Sequence, residues 1–209
     1  MADLALAASP ALAGHAEPGR HGARQGEAGV RIVERADFAL AAILGRRGDP
    51  APTLAAARRG FAIDLPRKPR AVEGASGSVK SATFLWAGPD RWLALARPRP
   101  TGDWLAAFHG GGLGGPALVD LTGGRGWISI AGPRARDALA RLVAVDLDPR
   151  VFAPGDVALT ALAHMPATLW RPEAGDGFEA LFDRSMAGSI WRALEHSCAA
   201  FGMDFAREA

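Results

Sequence analysis

The chain has no tyrosine, one cysteine and two lysines, Lys68 and Lys80. A lone cysteine, Cys198, excludes an internal disulfide and a cysteine-based metal cluster, and it suits a reducing compartment. Aromatic residues make up only 7% of the chain, and the first of them is Phe38. Residues 1–30 are therefore expected to bury too little surface to offset their ordering entropy, and they read as a mobile arm. No run approaches the ~18 apolar residues of a membrane span. The opening Met1 to Gly14 carries Asp3 where a signal peptide carries positive charge, and its apolar run breaks at Ser9-Pro10. Both points indicate a cytoplasmic protein without a membrane partner. Net charge is +2, with the basic surplus in residues 1–80, and there is no dense Lys/Arg stripe of the kind that binds nucleic acid.

What is present is enough apolar material for a buried core, 49% of 209 residues. Residues 31–78 read as an N-terminal extension and linker. In it Ile32-Val33, Phe38 to Leu40 and Ile43-Leu44 suggest a short helix, Leu65 to Arg70 an extended basic linker, and Gly74 to Ser78 a breaker. Residues 79–205 read as the domain proper. Val79 to Trp86 and Arg91 to Arg97 are expected strands around the turn Ala87-Gly-Pro-Asp90. A short helix follows over Asp103 to His109, then a hairpin of Ala117 to Leu121 with Trp127 to Ile130. Pro133 sits where a helix would start, and Ala135, Leu139 and Leu142 repeat at helical spacing. Three more strands, Val157 to Ala163, Ala167 to Trp170 and Phe178 to Phe182, precede a helix burying Met186, Ile190, Leu194, Cys198 and Phe201, with Gly202 at its C-terminal end. Strands in hairpins interrupted by helices predict an α+β fold with a mainly antiparallel sheet and packed helices.

Several motifs suggest chemistry without the context it needs. Gly110, Gly112 and Gly115 match G-x-G-x-x-G, but they follow an expected helix and precede a strand, the reverse of a dinucleotide site. His109-Gly-Gly-Gly112 resembles the oxyanion loop of some esterases, yet no G-x-S-x-G nucleophile accompanies it. His15, His21, His109, His164 and His196 lack metal-ligand spacing. Cys198 is expected to face the core as a small hydrophobe. The six tryptophans read first as core and second as a subunit interface. No catalytic, cofactor-binding or metal-binding residue is assigned on these grounds.

A series of short segments resembles the gamma subunits of heterotetrameric sarcosine oxidases. In order they are Phe84 to Leu93, Leu118-Val-Asp-Leu121, Ile130-Ala-Gly-Pro-Arg-Ala-Arg136, Asp146-Leu-Asp-Pro149 with Phe152-Ala-Pro-Gly155, Thr160 to Leu162, Phe178, and Arg184-Ser-Met-Ala187 with Trp191, Leu194 and Phe201-Gly202. Their shared order between Val79 and Met203 carries the resemblance, and residues 1–78 add nothing to it. The family is similar to a shortened aminomethyltransferase of the folate-binding kind, which also implies the α+β fold.

The resemblance implies a complex that oxidises sarcosine to glycine and yields hydrogen peroxide, with the methyl carbon leaving as formaldehyde or captured on tetrahydrofolate. It implies a direct alpha-subunit partner, with beta and delta subunits in the same assembly. FAD, FMN, NAD and tetrahydrofolate would reside in those partners and none in this chain. Asp146 stands where aminomethyltransferases carry a folate-serving Asp after an Asn, but here Val145 replaces the Asn. Asp146 is thus a weak catalytic candidate, and the alternative is a carboxylate organising a local turn. Two other readings stay open: a free-standing folate-binding or assembly protein of this fold, and a gamma-like subunit of another N-methyl amino acid dehydrogenase.

Overall fold

In the segment Phe178 to Asp183, Phe178, Ala180 and Phe182 lie on one face and Glu179 and Leu181 on the other, and all five are buried. A strand buried on both faces belongs to the middle of a layered structure. The computed structural model describes residues 9–77, 79–109 and 115–208. Along the chain come β1 (Gly19–His21), β2 (Val30–Arg35), β3 (Ala39–Leu44), α1 (Ala51–Phe61), β4 (Ala71–Ser76), β5 (Val79–Trp86) and β6 (Arg91–Ala96). They are followed by α2 (Ala106–His109), β7 (Ala117–Asp120), β8 (Arg125–Ala131), α3 (Ala135–Leu139), β9 (Val157–Leu162), β10 (Met165–Trp170), β11 (Phe178–Asp183), α4 (Ala187–Cys198) and β12 (Met203–Glu208).

These strands form a seven-stranded sheet, ordered β1-β12-β2-β8-β11-β10-β9, and a five-stranded sheet, ordered β4-β5-β6-β3-β7. Every pairing is antiparallel except β12 with β2. The mixed α+β architecture with largely antiparallel sheets is the expected one.

Side-chain alternation sorts the interior into three layers. Ile128, Ile130, Phe178 and Phe182 of the larger sheet pack with Leu139 of α3 and with Ile190, Trp191 and Leu194 of α4. Phe84, Trp92 and Ala94 of the smaller sheet pack with Ala56, Ala57 and Phe61 of α1 and Phe108 of α2. Between the sheets lie Leu40, Leu85 and Leu95 from one side and Val157, Trp170 and Leu181 from the other. The order is helix, sheet, sheet, helix.

Local sequence explains the helices. Pro52 occupies the first turn of α1, and Ala62 ends it in the left-handed region at φ 57 with its N–H on the Arg58 carbonyl. Gly60 lets α1 touch α2, because a Cβ there would lie 2.3 Å from the Ala107 Cβ. α4 buries Ile190, Leu194 and Cys198 on one face, as the spacing predicts, while Met186 is 40% exposed. Gly202 has φ +68, and a side chain there would meet the Ala23 carbonyl at 2.6 Å.

Four expectations are corrected. Residues 9–30 are packed: Leu12 is fully buried, Ala16 nearly so, and β1 pairs with β12. The short-range composition hid this, because the apolar Leu12 meets a core assembled from distant residues; Met1 to Ala8 lie outside the described residues. The segment 31–78 is not an extension, since β2 sits between β12 and β8, and β3 between β6 and β7. Ile32-Val33, Phe38 to Leu40 and Ile43-Leu44 belong to these strands or their approach, and the helix lies downstream at α1. Last, β7 and β8 do not form a hairpin. A single 3-10 turn, Thr122–Gly124, carries the chain from the smaller sheet to the larger one.

Candidate functional site

The residues singled out by sequence do not converge. Asp146 is exposed, and its carboxylate accepts the Asp148 N–H at 2.9 Å. Asp148 in turn accepts the Arg150 backbone N–H and both ends of its guanidinium, which hold its carboxyl down at about 2. These are turn contacts between near neighbours. Gly110 to Leu113 and Gly114 lie outside the described residues, and so does most of the glycine motif. His109 is exposed and 3.3 Å from Asp103. His21 places Nδ1 3.0 Å from Glu195 and Nε2 2.8 Å from the Glu17 carbonyl, edge-on to Trp191. His15, His164 and His196 are exposed and separate. Among the described residues no group of three or more His, Cys, Asp or Glu could hold a metal ion. Cys198 is buried as expected, and burial pushes its thiol up to about 11, which disfavours the thiolate. Trp92, Trp170 and Trp191 are core residues, and Trp86, Trp104 and Trp127 are partly covered. Among the described residues no helix is long and apolar enough to cross a membrane.

The concentration of charge lies elsewhere, at one end of the seam between the sheets. Glu179 of β11 is 7% exposed and faces the inter-sheet layer. It accepts the Trp127 indole N–H at 2.6 Å and the Arg35 guanidinium at 3.2 Å. Burial raises its carboxyl above the ordinary range, and Arg35 and Trp127 oppose that shift without cancelling it. Arg35 also reaches Glu208 of β12 at 2.6 Å, and Glu208 pairs with Arg97 just past β6. Arg97 is lowered from its ordinary value, by burial first and then by the like charge of Arg35. One chain of ion pairs thus ties β2, β11 and β12 of the larger sheet to the end of β6 in the smaller one. A second buried acid, Glu34, is 1% exposed and holds the N-terminal segment: it accepts the Leu12 N–H and the Arg207 Nε–H, each at 2.7 Å.

Sequence reading missed this seam. Its signal was there in Phe178-Glu-Ala-Leu-Phe182, a single charge inside an otherwise apolar strand. Its partners, however, lie 144 and 52 residues away in the chain.

Comparison with known proteins gives the arrangement a family. No family model matches the chain. The sarcosine oxidase subunit gamma of an Arthrobacter species is 33% identical over 150 residues, 70% of this chain and 70% of the relative. The chain belongs to the sarcosine oxidase gamma subunit family. The gamma subunit of Corynebacterium sp. strain P-1 is similar at 34% identity over 142 residues, 66% of this chain and 67% of that one. Among solved structures, a chain of the heterotetrameric sarcosine oxidase from Corynebacterium sp. U-96, in complex with pyrrole 2-carboxylate, superposes with a TM-score of 0.70 at 25% identity. That match covers 87% of this chain and 88% of the other. It is too long to be confined to residues 79–209, so the family likeness reaches into the segment that the motifs left out. The glycine cleavage system aminomethyltransferase T of Bartonella henselae shares the fold, with a TM-score of 0.61 at 15% identity. The match covers 86% of this chain and 48% of that protein, so this chain spans about half its length.

Proposed function

We propose that this chain is the gamma subunit of a cytoplasmic sarcosine oxidase complex and supports its assembly without performing the chemistry. In this reading the complex takes two electrons from sarcosine and passes them to oxygen. The products are glycine, hydrogen peroxide and formaldehyde, or methylene-tetrahydrofolate where the methyl carbon is captured. The flavin groups (FAD and FMN), NAD and tetrahydrofolate belong to the partner subunits, with the alpha subunit in direct contact and the beta and delta subunits in the same assembly. The observation that carries the reading is the 33% identity to a sarcosine oxidase subunit gamma across 70% of both chains.

The residues of this chain do not suit a folate-serving acid at Asp146. Its carboxylate is exposed and turned to the Asp148 N–H, and Val145 beside it offers no hydrogen bond. A group that serves acid–base chemistry needs to reach the reacting atoms in a sheltered site. We assign Asp146 to the turn.

Co-expression tests the function. A tagged version of this chain should retain an alpha-type chain through purification and reconstitute sarcosine-dependent peroxide formation when beta and delta are supplied. A monomer that binds tetrahydrofolate and ignores all three other chains would make it a free-standing folate binder instead.

A further inference from the structure

The inter-sheet seam ends in a cavity of about 290 Å³ that none of the ion pairs above fills. It lies where the chain crosses between sheets, at Ala36 to Phe38 and at Thr122-Gly123. Among the described residues four arginines line it, Arg35, Arg99, Arg125 and Arg184, and no acidic residue does. We propose that this cavity binds a small anion of the phosphate or carboxylate class, held chiefly by Arg99 and Arg184.

Two of the four arginines have their charge matched by carboxylates and two do not. Arg35 is neutralised by Glu179 and Glu208, and Arg125 by Asp183 at 2.8 Å. Arg99 and Arg184 have no such match: among the described residues no carboxylate lies within ion-pair distance of either. Each is instead fixed by a backbone carbonyl. Arg99 Nε donates to Phe38 O at 3.0 Å, and Arg184 Nη2 donates to Pro10 O at 3.1 Å. A guanidinium carries five N–H donors, so one carbonyl contact orients the fork and leaves most of its donors uncommitted. Asp120 is held chiefly by Thr122, whose N–H it accepts at 2.8 Å, and although it feels the field of Arg99 it makes no ion pair with it. The Thr122 hydroxyl is likewise occupied, by the Leu40 N–H and carbonyl.

The walls add shape. Phe38 and Gly126 are buried, and Pro10, Ala11 and Ala36 are partly covered, so part of the wall is apolar, while Ser9 and Thr122 add polar lining and Arg99 is exposed at the opening. Apolar walls lower the local dielectric and strengthen attraction for an anion. The volume sits at the small end of ligand pockets, which run from about 300 Å³ upward. It suits orthophosphate, a phosphate monoester or a short dicarboxylate rather than a nucleotide. Arg99 follows β6 of the smaller sheet and Arg184 follows β11 of the larger, so one anion would bridge both.

The test uses the assembled complex. Isothermal calorimetry with orthophosphate, and separately with succinate, at constant ionic strength should give saturable binding at one site per gamma-type chain; the stronger of the two names the class. Arg99→Gln and Arg184→Gln should each weaken binding by about tenfold or more. Arg99→Lys, which keeps charge but loses the fork, should fall between wild type and Arg99→Gln. Arg192→Gln, exposed on α4, should change nothing. Absence of saturable binding at millimolar anion, or equal affinity in all four variants, overturns the proposal. Should the glutamine variants not assemble, crystals of the wild-type complex soaked in tungstate decide it. Anomalous density between Arg99 and Arg184 supports the site. An empty cavity, or one filled by a partner subunit's acidic side chain, rejects it.

Discussion

The smaller sheet is mostly a record of local sequence, and the larger sheet is not. β4, β5 and β6 follow one another as two hairpins, with short turns at Gly77 and at Ala87–Asp90. In the larger sheet β12 lies between β1 and β2, and Met203 pairs with Val30. In the smaller sheet three strands are neighbours both in space and in sequence, with β3 entering between β6 and β7; the larger sheet joins the two ends of the described chain. The polar contacts differ less: beside the smaller sheet the Arg58–Asp64 pair is local, six residues apart, but Leu40 of β3 bonds Thr122, 82 residues away, just as Glu34 and Glu179 recruit partners from across the chain.

The largest expected effects come from emptying each core. Phe182→Ala in the larger sheet and Phe84→Ala in the smaller should each cost about 3–5 kcal/mol, since both rings are fully buried. The layer of Leu40, Leu85, Trp170 and Leu181 between the sheets couples them, so both variants should show one unfolding transition by circular dichroism and tryptophan fluorescence alike. An earlier transition seen only in Phe84→Ala would mean that the smaller sheet unfolds by itself.

Next in size is Leu12→Ala. Leu12 is fully buried against the larger sheet, so the change should cost about 2–5 kcal/mol in urea unfolding. An unaltered midpoint would return residues 9–30 to the status of an arm.

Glu179→Gln should act through pH. Burial raises the folded carboxyl above its ordinary range, so between that range and the raised value the folded chain holds a proton that the unfolded chain has released. Stability contributed by this group is therefore fullest at low pH and declines as pH rises through the window, by at most about 1.4 kcal/mol per pH unit. The glutamine variant should flatten that decline in unfolding curves taken across the acidic range. The smallest effect belongs to Asp146→Asn, which keeps an acceptor for the Asp148 N–H. We expect a change of about 1 kcal/mol or less and unaltered sarcosine turnover, with or without tetrahydrofolate. A hundredfold loss of folate-dependent capture, about the least that removing an acid–base group costs, would put Asp146 in an active site.

The contrast between the sheets also explains what was legible in the sequence. Val79 to Trp86 was bounded at both ends, because an alternating strand closed by Gly-Pro-Asp states its own limits. The strands β9, β10 and β11 and the apolar stripe of α4 were legible for the same reason. By contrast, β2 reads Val-Arg-Ile-Val-Glu-Arg, half of it charged, and β3 reads Ala-Leu-Ala-Ala-Ile-Leu, a composition that a buried strand shares with a helix. β1 has only three residues and pairs with β12, which lies in turn against β2, so both become strands only where distant segments meet. The seam was least legible of all: a lone Glu in an apolar strand announces a partner but does not say which of the arginines it is.

The position of β12 also sets a timetable. At synthesis rates of about 5–20 residues per second, Val30 leaves the ribosome on the order of ten seconds or longer before Met203 is made. Until then β2 offers the newborn chain an open row of backbone donors and acceptors on the side that β12 will fill. Hairpins of the smaller sheet can close as they emerge, but the larger sheet can be completed only after β12 has been released. A nascent chain with such an edge is most exposed to mispairing during translation, so a holding chaperone that covers β2 until β12 emerges should raise the yield of this subunit.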